Sequence, residues 1–81
     1  MKHIVLGAGS IGTRHATNLR LLRPNDEIIM VDVNNLTGIN YADLKLSVIK
    51  DSVVYICTPT IFHLDMYKAM AFAGAKSVFV E

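Results

Sequence analysis

Three glycines in the run GAGSIG, Gly7, Gly9 and Gly12, lie between a β-prone run and a helical one in the spacing G-x-G-x-x-G. In that setting the first glycine permits a tight turn. The second lets a pyrophosphate approach the main chain, and the third lets a helix lie close to a strand. The helix that follows is expected to offer its unpaired N–H groups and partial positive charge to phosphate oxygens. Ser10 adds a hydroxyl to the expected phosphate contacts, and Ile11 completes the loop. Asp32 stands twenty positions beyond Gly12, at the end of the next apolar run. A carboxylate there accepts hydrogen bonds from both ribose hydroxyls and repels a 2′-phosphate. Neither Arg nor Lys occurs in Val33, Asn34 or Asn35, so NAD is expected over NADP; Arg14, early in the helix, keeps NADP open. The competing readings are a ligand-free glycine turn and a solvated acid at a strand end.

A second set, Thr58, Pro59, Thr60 and His63, follows the apolar run SVVYIC. In a doubly wound sheet such a strand ends at the switch point where ligands lie. An ordinary proline-containing turn fits the same residues. His63 falls in the first turn of a helix, as a neutral group near the cofactor or as a cap on local backbone.

The other reactive residues form no constellation. His15 falls on the apolar stripe of the first helix and is expected to be partly buried; His3 lies in the first strand and carries no pattern. With one cysteine and three histidines lacking ligand spacing, no metal site is expected. Cys57 reads as a small core residue without a neighbouring base. No G-x-S-x-G elbow surrounds Ser10, so serine hydrolysis has no support. Lys76 precedes the last strand and reads as a surface charge.

These residues need elements to hold them. Lys2–Leu6 reads as a buried parallel strand, and Ser10 to about Leu22 as a helix with Ile11, His15, Leu19 and Leu22 on one stripe. Pro24 ends that helix. Strands are expected at Glu27–Val33, Ser52–Thr58 and Ser77–Val80. A helix is expected from Ile61 to about Ala73, with Thr60 as N-cap and Gly74 near its end. Between Asn34 and Asp51 there is room for one helix, roughly Tyr41–Lys50. The expected fold is α/β: a reduced Rossmann-like parallel sheet of about four strands in order 2-1-4-5 with three helices. The third strand is expected to be missing or vestigial near Gly38–Tyr41.

At 81 residues the chain is one domain with a core burying roughly 60–65% of its unfolded surface. A net charge of +1 with both signs scattered gives no stripe for nucleic acid or lipid. No apolar run approaches a membrane span. The start MKHIVLG lacks signal-peptide architecture, and the lone cysteine suits a reducing cytoplasm, the expected location.

Taken together, GAGSIGTRHATNLR, VDVN, VVYICTPTIFHLDMYKAM and GAKSVFVE resemble the N-terminal domain of the Gfo/Idh/MocA oxidoreductases. The resemblance covers nearly the whole chain apart from the middle, which is shorter than in the family. It implies NAD(P) binding, with the Thr58–Thr60 loop and His63 on the nicotinamide side. The family acts on sugar-like alcohols and carbonyls. It also implies a Glu-Lys-Pro triplet, of which Glu81 is the first residue and is counted with the cofactor-binding set. The lysine of that triplet and the acid and histidine of a second, C-terminal domain do the proton chemistry in the family. The expectation is therefore a truncated cofactor-binding domain with no catalytic residue of its own. Its first helix should sit alone on one sheet face, leaving that face for a second copy or the missing domain. Two alternatives stay open: a stand-alone nucleotide-sensing or dimerisation module, and a relic that folds and binds nothing.

Overall fold

The computed structural model describes residues 1–7, 9–32, 39–40, 43–58 and 63–80. Along the chain these form β1 (Lys2–Leu6), α1 (Ser10–Leu22), β2 (Glu27–Asp32), β3 (Ile39–Asn40), α2 (Leu46–Ile49), β4 (Val53–Ile56), α3 (His63–Phe72) and β5 (Ser77–Val80). The strands make one sheet in the order β3-β2-β1-β4-β5, with every pairing parallel. It is a small Rossmann-like α/β fold. The sheet has four longer strands and the two-residue β3, which pairs only with Val31 and Asp32 at the end of β2 and lies where a vestigial third strand was expected, near Gly38–Tyr41.

β1 is central, so both its faces are covered and Ile4, Val5 and Leu6 are fully buried. That is why its sequence is a continuous apolar run rather than an alternation. Ile4 and Leu6 face the same side as Val54, Ile56 and Val31, and the core there is closed by Ile49 of α2 and by Met66 and Met70 of α3. Each such side chain stabilises the fold by about 1.5–3 kcal/mol relative to exposure. The other face, with His3, Val5, Tyr55 and Phe79, carries α1. Right-handed crossovers produce this split: α1 leads from β1 towards β2, whereas α2 and α3 belong to connections running the other way across the sheet.

Two helices depart from expectation. α1 has the expected span, but the residues it buries are Gly12 and Ala16. Ile11 is 50% exposed and Leu22 77% exposed, while His15 and Leu19 are half-buried. Small residues win the sheet-facing positions because they let the helix axis come close to β1. α2 is a single turn rather than Tyr41–Lys50, and residues 41–42 lie outside the described set. It has no side-chain N-cap and buries only Ile49, too little to hold a longer helix. The Ser52 hydroxyl donates to the Ile49 carbonyl, and Asp51 takes a positive φ of 61° beyond it.

β4 is shorter than Ser52–Thr58, with those two residues buried at its flanks. Val33, and Thr60 and Ile61 where the cap and start of the last helix were expected, lie outside the described residues. α3 ends at Gly74, where φ is +90°. Gly74 N–H donates to Ala71 O and Ala75 N–H to Met70 O, the paired bonds of a Schellman motif. No helix among the described residues is long and apolar enough to cross a membrane.

Candidate functional site

The carboxyl end of β1 is built around two glycines that cannot carry a side chain. Gly7 has φ +104°, and its N–H donates to Val31 O at 2.7 Å. A Cβ on Gly7 would lie 2.8 Å from Cys57 O and 3.1 Å from Thr58 N. Cys57 N–H in turn donates to Leu6 O at 2.8 Å, so the end of β4 is drawn directly against this turn. A Cβ on Gly12 would overlap the Gly7 carbonyl, which is how closely α1 approaches β1.

Gly9 differs from both. It is the N-cap of α1 in an extended conformation, and a Cβ built on it would meet nothing within 4 Å. Gly9, Ser10 and Ile11 are exposed, and no side chain caps the helix. The first-turn N–H groups of a helix lack intrahelical partners. The open space over Gly9 is therefore bordered by hydrogen-bond donors and the positive end of a helix dipole. Across the register Gly7 is level with Asp32, which is buried at the end of β2 on the same face as α1. The chain reverses its direction of travel across the sheet between β1 and β4, so this end is a topological switch point.

Thr58 and His63 take roles that the sequence left open. The Thr58 hydroxyl donates to Met66 Sδ at 3.2 Å and is directed inward. His63 donates Nε2–H to the Thr58 carbonyl at 2.6 Å, so it caps local backbone. The structure thus gathers Gly7, Gly9, Ser10, Ile11, Gly12 and Thr58 around one turn, with Asp32 on the adjoining strand and His63 behind Thr58. Pro59, Thr60 and Glu81 lie outside the described residues. Cys57 is half-buried rather than a core residue. Lys76 lies at the opposite edge of the sheet, where its N–H donates to Ser52 O.

Sequence reasoning missed a second polar cluster, at the amino ends of the strands. His3, buried in β1, donates Nε2–H to Asp26 Oδ2 at 2.8 Å and accepts from the Tyr55 hydroxyl on Nδ1 at 3.1 Å. Tyr55 stacks on His3, His15 and Phe79, with centroids 6.0, 6.1 and 5.6 Å away. The His3 bond, helped by the N-terminal ammonium, holds the Asp26 carboxyl below its ordinary 3.8 against the opposing effect of desolvation. Burial raises the Tyr55 phenol above 10.0, so it stays protonated and donates. These partners are 23 and 52 residues from His3 in sequence, and no local spacing announces them. Neither shift moves a group towards neutral pH, where an acid or base would be useful. Among the described residues, no group of three or more His, Cys, Asp or Glu could hold a metal ion.

Comparison with protein-family models, with curated proteins and with solved structures gave no match.

Proposed function

We propose that this chain binds a nicotinamide dinucleotide, NAD in preference to NADP. In this proposal it is the cofactor-binding part of a Gfo/Idh/MocA-type oxidoreductase acting on a sugar-like or polyol substrate. One observation carries the proposal: Gly7 and Gly12 have no room for a Cβ, whereas Gly9, between them, has open space on its outer side. Packing explains the first two glycines. The third is explained by something that must come close to the main chain there. The N–H groups of the first turn of α1 and the Ser10 hydroxyl suit a pyrophosphate, and the Asp32 carboxylate suits the adenosine ribose. When bound, the nicotinamide supplies the hydride chemistry. The proposal assigns no catalytic residue to residues 1–81. It gives proton transfer to a lysine following Glu81 and to a C-terminal domain. The half-covered α1 face, where Phe79 is 57% exposed, is the surface that such a domain or a second copy would cover.

Calorimetric titration with NADH and NADPH tests this. Saturable NADH binding is expected, weakened by Asp32→Ala and lost in a folded Gly9→Ala variant. Heat from neither cofactor, or unaltered NADH binding by Gly9→Ala, would overturn the proposal.

A further inference from the structure

We infer that His63 is a positioning residue that clamps the wall of the glycine turn, rather than a group presented to the ligand. As a statement about a nucleotide site, this rests on the proposed function; as a statement about the turn, it stands on geometry alone. Three contacts make the chain of support. His63 Nε2–H holds the Thr58 carbonyl at 2.6 Å. Met66, three residues on and so on the same face of α3, receives the Thr58 hydroxyl at 3.2 Å and is itself buried. The main chain of Cys57 and Thr58 then forms the surface that excludes any Cβ at Gly7. Thr58 is therefore held at two points by the start of α3, and Gly7 is held against Thr58. Gly12, and with it the first turn of α1, is packed on the Gly7 carbonyl. A change at His63 should reach the Gly9–Gly12 amides through this series without touching them. A ring whose Nε2 proton is committed to a main-chain carbonyl is not offering that donor to a cofactor.

The test uses ¹⁵N-labelled chain without nucleotide, then with NADH. In the free protein, His63→Ala is expected to shift the amide resonances of Thr58, Gly7, Gly9 and Gly12 and speed exchange at Gly7. His63→Gln, whose Nε2–H can reach the same carbonyl, is expected to restore them. NADH affinity should fall about tenfold in His63→Ala, the ratio equivalent to one lost hydrogen bond, and return in His63→Gln. Should His63→Ala fail to fold, His63→Asn, whose shorter amide cannot reach Thr58, takes its place. Unmoved glycine amides in the Ala variant would overturn the clamp. Restored amides with affinity still lost in His63→Gln would overturn the purely positioning role and make the imidazole itself a ligand contact. If wild type binds no NADH, the proposed function fails, and the amide shifts of the free protein still decide the clamp.

Discussion

At the carboxyl end of β1 the chain removes side chains: Gly7 and Gly12 interlock with backbone, and Gly9 faces open space. At the amino end it adds them: His3, Asp26 and Tyr55 join in one hydrogen-bonded series, with the N-terminal ammonium 3.6 Å from Asp26. The second region has the residue types usually associated with catalysis. Yet each nitrogen of His3 is already used, and no buried side-chain nitrogen or oxygen among the described residues lacks a partner. The first region has little titratable chemistry and has room. Satisfied polar clusters of this kind lock strands in register, whereas under the proposed function the open space over Gly9 is where the ligand approaches.

The largest effect should come from breaking the interlocked glycines. Gly12→Ala puts a methyl group into the Gly7 carbonyl, and neither backbone can retreat while α1 stays on the sheet. A loss of roughly 3 kcal/mol or more is expected in denaturant unfolding. Near-native stability there would show that α1 lies farther from β1. Next, His3→Ala strips partners from Asp26 and Tyr55 together and should cost about 1–3 kcal/mol. NADH binding by the fraction that remains folded should be unaffected; altered affinity would tie the two ends of the sheet together.

Asp26→Asn sharpens the contrast through pH. The folded pKa of Asp26 is depressed, so its contribution is present above the ordinary value of 3.8 and lost as pH falls through the lower folded value. The variant should therefore be less stable than wild type near neutrality, and the gap should close below about pH 4. A gap that persists in acid would mean that the carboxylate charge is not what matters. The smallest change in stability should be that of Gly9→Ala, within about 0.5 kcal/mol, because the new methyl group meets nothing. This variant separates folding from binding at a single atom.

How much of this was legible in the sequence follows the range of the forces involved. β1, the span of α1, and β5 could be read because local apolar runs and glycine or proline stops define them. The glycine spacing could be read because the turn is contiguous. The buried face of α1 could not: hydrophobicity favours Ile11 and Leu22, whereas packing distance selects Gly12 and Ala16. The one-turn α2 was overestimated because its periodicity exceeds the core surface available to it. His3 was passed over because its partners reach it only through the register of β1 with β2 and β4. His63 was placed in the first turn of a helix with backbone capping as one of its two readings, and only the tertiary approach of the Thr58 carbonyl decides between them.

The strand that carries the glycine turn is the middle one of five, and this has a consequence for how the sheet can be enlarged. β5 is an edge strand whose sequence, SVFV, has no charge or proline to discourage pairing, and Phe79 and Val80 are exposed on it. β3 at the opposite edge is only two residues long. Insertions, added strands or fusions beyond β5 leave β1 and its two neighbours untouched. The margin can therefore vary while the centre is kept, and the fold can acquire new surroundings without rebuilding its turn.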